Sequence, residues 1–243
     1  GWMATRWVRN SPSPWPENQQ TVRAEIHSLS WPSADPRLAQ HQAAVFAHFR
    51  LPIRQHCVEV DHGAWIDALL AQSSADVVLI VDNDCVPIRR EAALEAIQFA
   101  HRASSFLGLA QASNHLNHGR HIFAAPAFLA VSRVAWERLG RPSCCANRRS
   151  DVAEELSWRA EEQGLRYRAW YPTHYHRPSR EGVWHLGNYG QFGIGSVFAD
   201  RVFHLYQGRF ANNVDLFVEV CGRIQAGAFS TAGLLACVAH PAA

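Results

Sequence analysis

Asp76-Val77-Val78-Leu79-Ile80-Val81-Asp82-Asn83-Asp84-Cys85-Val86-Pro87 is the stretch on which the reading of this chain turns. Val77 to Val81 is a run of five apolar, mostly β-branched residues, which predicts a strand buried on both faces. Two carboxylates stand where that strand leaves the sheet. In open α/β sheets, ligand sites lie beyond the carboxyl ends of the strands. Asp82 and Asp84 alternate with Asn83, so both acids share one side of an extended segment. Close carboxylates repel each other unless a positive charge stands between them. A hard divalent cation with oxygen ligands, itself gripping a diphosphate, supplies that charge. Pro87 biases Val86 away from helix, and the acidic loop is predicted to stay extended.

Around this centre the composition sets bounds. A chain of 243 residues holds one large domain or two small ones. Lys+Arg number 23 against Asp+Glu 21, a net charge of +2, which gives no electrostatic case for nucleic acid as a partner. No apolar run approaches the length needed to span a bilayer, and the N-terminus has no signal-peptide layout. Gly1-Trp2-Met3 reads as a tag remnant ahead of the native start. The six cysteines form no C-x-x-C pair, and adjacent Cys144-Cys145 suits neither zinc nor a disulfide, so reduced thiols are expected. Fourteen His and nine Trp are many for this length, and both types are common where sugars and phosphates are handled, although Trp is also an ordinary core residue.

Outward from the acidic stretch, strands and helices alternate. Upstream, Thr21–Leu29 reads as a strand, Arg37–Phe49 as a helix opened by Asp35-Pro36, Val58–Val60 as a short strand and Ala64–Ser73 as a helix. Downstream, Arg89–Arg102 reads as helix and Phe106–Ala112 as strand. Ile122–Val131 contains Pro126 and is expected to be partly strand and partly turn. Ser132–Leu139 and Asp151–Gln163 read as helices closed by Gly140 and Gly164. Tyr167–Tyr171 is expected to be a strand, His174–Gly195 a long functional loop, and Val202–Tyr206 a short strand. This alternation predicts an α/β domain with a mostly parallel central sheet flanked by helices. Residues 1–20 are expected to be irregular. Residues 21–212 form the catalytic domain, 21–100 its nucleotide-sugar half and 101–212 its irregular acceptor half, and 213–243 a helical tail.

Several segments, in this order, resemble the GT-A fold of bacterial-type, nucleotide-sugar-dependent glycosyltransferases. The acidic stretch is similar to their D-x-D segment. His62-Gly63 with Ile66-Asp67-Ala68-Leu69-Leu70 is similar to the helix start under the donor nucleotide, and Ala125 to Arg133 resembles the central segment, ahead of Leu139-Gly140. Asp151-Val152-Ala153-Glu154-Glu155 resembles the acidic helix start that faces the acceptor, without the Glu-Asp pair of the commonest inverting members. Val202 to Tyr206 is similar to the segment bearing a late metal-binding His. The first strand lacks the usual uracil-binding pattern, so the donor base stays open.

The resemblance implies transfer of a sugar from a nucleotide diphosphate donor to a hydroxyl acceptor, a glycan or a lipid-linked species, in glycan or surface polysaccharide synthesis. It implies a cytoplasmic enzyme, with peripheral contact at the inner membrane, that uses Mn²⁺ or Mg²⁺. Asp84 and His204 are the implied metal ligands, and Asp82, Asn83, Asp84, His62, Gly63 and Asp67 the donor site. Asp151 or Glu154 is the implied base of an inverting reaction. Asp151 as helix cap, with Glu154 three residues later in capping-box spacing, is the structural alternative. Gln111, Asn114, Trp184 and His185 are assigned to the acceptor, Trp184-His185-Leu186-Gly187 as a lid over the sugar. His115, His118 and His121 are expected in an exposed polar loop that touches the acceptor. Two rivals remain. A sugar-nucleotide nucleotidyltransferase needs a Gly-rich basic loop after its first strand, where this chain has Ser30-Trp31-Pro32-Ser33. A non-catalytic carbohydrate-binding domain has no use for the acidic strand end.

Overall fold

The structure, a computed structural model, describes residues 22–113, 116, 119–176, 183–187, 190–208 and 210–237. Ala24–Ser30 forms β1, Pro36–His48 α1, Arg54–Cys57 β2, His62–Gln72 α2 and Val77–Asp82 β3. A turn at Asn83-Asp84 leads into β4 (Cys85–Pro87) and α3 (Arg90–Arg102). Then come β5 (Phe106–Ala112), β6 (Ile122–Ser132), α4 (Arg133–Arg138), α5 (Glu154–Glu162) and β7 (Arg168–Trp170). Short strands follow: β8 (Pro172–Tyr175), β9 (Val183–His185), β10 (Gln191–Gly193), β11 (Ser196–Phe198) and β12 (Val202–His204). The chain closes with α6 (Ala211–Gln225) and β13 (Leu235–Ala236).

The fold is mixed α/β. Its six-stranded sheet runs β2-β1-β3-β6-β5-β7, and only β6 opposes the other five strands. β3 lies inside this sheet, which explains its unbroken apolar run: every residue from Val77 to Val81 is at most 3% exposed. Val77, Leu79 and Val81 pack with Ala92, Ala93, Ala96, Ile97 and Ala100 of α3. The alternate residues, Val78 and Ile80, pack with Trp65, Ile66 and Leu70 of α2 on the other face. Each such aliphatic side chain contributes about 1.5–3 kcal/mol relative to exposure, which makes β3 the anchor of the sheet.

After the acidic turn the chain leaves this sheet. β4 joins a five-stranded antiparallel sheet, β13-β8-β11-β12-β4. α1 and α6 cover that second sheet through Leu38, Val45, Val214, Phe217, Val220 and Ile224, packed with Val86, Val197 and Phe203. Asn83-Asp84 therefore sits at the seam between the two sheets.

Several expected elements shift for identifiable reasons. The second strand is Arg54–Cys57 rather than Val58–Val60: it is an edge strand, largely exposed, so it carries no apolar signal. Ile122–Ser132 is one continuous strand in spite of Pro126. β5 and β6 slip register between Leu107↔Ala130 and Leu109↔Ala125, so Pro126 lies in a bulge where no ladder N–H is required of it. The acidic segment is a turn followed by a strand, not an extended loop, because the Gln42 carboxamide donates to both Asp82 O (2.6 Å) and Cys85 O (2.9 Å) and draws them together. The stretch from His174 to Gly195 is not simply a loop: it contributes the end of β8 and the antiparallel pair β9–β10.

Candidate functional site

Asp82 ends β3, Asp84 occupies the turn, and β12 pairs antiparallel with β4 so that His204 stands opposite Cys85. Strand pairing thus brings a distant histidine beside the acidic turn. One ligand atom from each of Asp82, Asp84 and His204 lies within 4.8 Å of the others. His204 Nε2 is 3.4 Å from Asp84 Oδ1, and His62 Nε2, at the start of α2, is 3.4 Å from Asp82 Oδ1. Leu205 N donates to Asp84 O (2.9 Å), and Gly208 lies so close that a Cβ there would come within 3.0 Å of Asp84 Oδ2.

Protein atoms crowd Asp82 even though 27% of its side chain stays accessible. Burial pushes its carboxyl above the usual carboxylate range, and Asp84 adds to this, against the opposing pull of His62 and His204. His204 Nδ1 is buried without a hydrogen-bond partner among the described residues, and so is Tyr206 Oη. Two carboxylates and one imidazole around a common point make a donor set that could hold a divalent metal ion. The residues fit the kind of metal that the resemblance implies.

Of the other expected donor residues, Asn83 is buried in the turn at 8% exposure. Gly63 and Asp67 serve a different contact. A Cβ on Gly63 would come within 2.5 Å of Cys144 O and Cys145 Cα. The Asp67 carboxylate accepts from Cys144 N (2.7 Å) and Ser143 Oγ (2.7 Å). Together they dock the segment between α4 and α5 onto α2. Cys144 O in turn accepts from Ala153 N (2.9 Å), which ties that segment to the start of α5. The six cysteines are all free thiols.

The second acidic group lies along the same edge of the sheet. β5 runs parallel to β1 and β3 and ends beside Ser113, while β6 continues past Phe128, its last β3 partner, as far as Ile122 next to His121. Here α5 begins at Glu154, not Asp151. Ala153 is its N-cap in the left-handed region (φ +62°), and Asp151 caps nothing: its Oδ1 accepts from Val152 N (2.8 Å). Half of the expected capping box survives, since Glu154 Oε2 accepts from Asp151 N (2.6 Å). Ser113 Oγ donates to Asp151 Oδ2 (2.9 Å) and lies 3.3 Å from Glu154 Oε2. His121 Nδ1 donates to Glu154 Oε1 (2.6 Å). Glu154 is 1% exposed, so it is enclosed by these partners, while Asp151 is half-buried. Next to it, Glu155 binds Arg149 and Ser150, which hold its carboxyl down at about 2.

Of the expected acceptor residues, Gln111 is half-buried near the end of β5. Asn114, with His115 and His118, lies outside the described residues. Trp184 packs its ring 5.2 Å from Tyr206, whose own ring is 4.2 Å from His204. The β9–β10 pair therefore reaches the Asp82–Asp84–His204 cluster through two aromatic rings, while His185 is exposed. Sequence reasoning placed His121 in an exposed loop, but its side chain is only 9% exposed. It missed Gln42 and Tyr206 altogether: a polar residue inside a helix and an aromatic near a strand end are ordinary, and only the fold aims them at the acidic turn.

The sequence matches no family model and no curated protein. Several solved structures similar to this one share 9–13% identity with it. They include the mannosyltransferase PcManGT from Pyrobaculum calidifontis in complex with GDP-Man and Mn²⁺ (TM-score 0.46, over 68% of this chain and 59% of that one). Mannosyl-3-phosphoglycerate synthase from Rubrobacter xylanophilus aligns over 90% of this chain and 85% of its own (TM-score 0.38). S. aureus TarS 1-349 aligns over 60% and 57% (TM-score 0.38). The chain thus spans less than two thirds of the mannosyltransferase and of TarS. No helix among the described residues is long and apolar enough to cross a membrane.

Proposed function

We propose that this protein is a metal-dependent glycosyltransferase of GT-A type, moving a sugar from a nucleotide diphosphate donor to a hydroxyl acceptor. The observation that carries the reading is the Asp82–Asp84–His204 cluster at the seam of the two sheets, beyond the carboxyl end of β3. Asp84 and His204, with Asp82, would hold Mn²⁺ or Mg²⁺, whose charge stabilises a departing nucleoside diphosphate. Asp82, paired with His62, faces the donor and orients it. Trp184, seated on Tyr206, offers an apolar ring face to the sugar. Asp151 takes the acceptor proton if the reaction inverts; its Oδ2 is already oriented by Ser113. The acceptor is a glycan or lipid-linked hydroxyl, reached from the β5–α5 side of the sheet edge.

The test is a thermal-shift series with nucleoside diphosphates and nucleotide sugars, each with Mn²⁺, with Mg²⁺ and with chelator. Stabilisation that requires the metal supports the reading and names the base. Equal stabilisation in chelator removes the metal from the donor site. Pyrophosphate release from a nucleoside triphosphate and a sugar phosphate would instead mark a nucleotidyltransferase.

A further inference from the structure

His121, Glu154 and Ser113 form a connected set that neither metal nor donor uses. We infer that His121 is a positioning residue for Asp151, acting through Glu154 and Ser113; the inference rests on the reading of Asp151 as the base.

α5 has no side-chain cap at Ala153, and the Glu154 bond to Asp151 N reaches back ahead of the helix. The structure goes well beyond that single bond. The His121 ring lies against Trp158 with centroids 3.6 Å apart, which fixes its plane. Nδ1 is then aimed at Glu154 Oε1 and Nε2 at Glu161 Oε1 (3.2 Å). Held on one oxygen by His121, Glu154 presents the other to Asp151 N and Ser113 Oγ. Ser113 Oγ in turn reaches Asp151 Oδ2. A nearly fully buried carboxylate is costly unless it is paired and hydrogen-bonded, and Glu154 is both. The result is that Asp151 has its backbone N–H held by buried Glu154 and one carboxylate oxygen held by Ser113, which lies against the same Glu154 oxygen.

Burial alone would favour the neutral imidazole, yet Glu154 and Glu161 outweigh it and raise the His121 pKa. The sign follows: the cationic contact is complete at low pH and is lost as pH rises through that raised value. The charged and titratable groups around the ring are Glu154 and Glu161 on α5, Tyr167, whose Oη donates to Glu161 (2.7 Å), and Arg149 over Trp158.

The experiment is carboxyl ¹³C NMR of the whole chain, wild type against Ser113→Ala and His121→Gln, with the Asp151 resonance assigned through Asp151→Asn. Ser113→Ala removes the hydroxyl that Asp151 Oδ2 accepts from, and His121→Gln removes the ring that holds Glu154 against Asp151 N, so the Asp151 carboxyl resonance moves in each. The same variants lower turnover on the order of tenfold or more, with the donor KM unchanged, because geometry at the base is lost and binding is not. His121→Asn, which keeps a donor near the Nδ1 position, recovers part of the loss. An Asp151 carboxyl resonance that stays at the wild-type position in both variants overturns the inference. Should His121→Gln not fold, Ser113→Ala decides by itself, since it removes one hydroxyl. The two readings fail separately. Full turnover in Asp151→Asn removes Asp151 as the base, whereas loss there with unchanged turnover in Ser113→Ala and His121→Gln leaves the base and removes the positioning role.

Discussion

Two groups of acids lie along one edge of the central sheet, and they are built in opposite ways. Around Asp82 and Asp84, two carboxylates face each other with, among the described residues, neighbouring imidazoles to offset them, and His204 Nδ1 has no hydrogen-bond partner there. Around Asp151, Glu154 and Glu155, hydroxyls, a backbone N–H, a histidine and arginines meet the carboxylates. Among the described residues, the first group is paired with imidazoles and the second with guanidinium groups as well. On the proposed reading the first cluster is where a cation would bind, and the second is where orientation is held.

The comparison breaks most sharply at Asp84. Asp84→Ala should lower transfer by roughly a thousandfold, the several kcal/mol of transition-state stabilisation a metal supplies. The same change should abolish stabilisation by nucleoside diphosphate with Mn²⁺, yet leave the metal-free melting temperature equal or higher, since it relieves repulsion with Asp82. A metal-free protein that unfolds on this substitution would mean that the acids are structural.

Gln42 tests whether the acidic turn is held from outside. Gln42→Ala leaves Asp82 O and Cys85 O without their donor and should cost about 2–4 kcal/mol in urea unfolding. Gly63→Ala tests the link between the two groups. Its Cβ would collide with the Cys144-Cys145 backbone, and about 1–3 kcal/mol of stability should go with the displaced segment. A Gly63→Ala protein as stable as wild type would show that the segment before α5 is not docked through α2.

The smallest expected effect belongs to the satisfied group. Glu155, held at about 2 by Arg149 and Ser150, has a folded pKa below its unfolded value near 4.5. Its contribution is present above that unfolded value and is lost as pH falls toward 2. Partial exposure of Arg149 screens the pair, so the contribution is about 1 kcal/mol. Glu155→Gln should therefore flatten the stability profile between about pH 4.5 and pH 2, and an unchanged acid limb would show that the pair contributes nothing.

Much of this was legible in the residues because the signals are local. Val77 to Val81 could be read as a doubly covered strand because each face meets its own helix. The helices around Arg37 and Arg90 could be read from their spacing and, at Asp35-Pro36, from a cap. Other features were not legible. An edge strand carries polar residues, so β2 shifted. A bulge absorbs a proline, so β6 reads as interrupted when it is not. Ala153 adopts a left-handed conformation that no sequence rule assigns to alanine, so the start of α5 moved from Asp151 to Glu154.

What the sequence determined by itself is the buried strand, the acids at its end and the alternation that makes an α/β sheet, because hydrophobic period and turn chemistry act over a few residues. What only the tertiary structure decided is which distant groups meet those acids. His204 reaches Asp84 because β12 pairs with β4, and Gln42 closes the turn because α1 lies against it. His121 and Ser113 enclose Glu154 because β5 and β6 run side by side to the same edge. Strand pairing and helix packing bring residues far apart in the chain within hydrogen-bonding reach, and no local pattern encodes which ones.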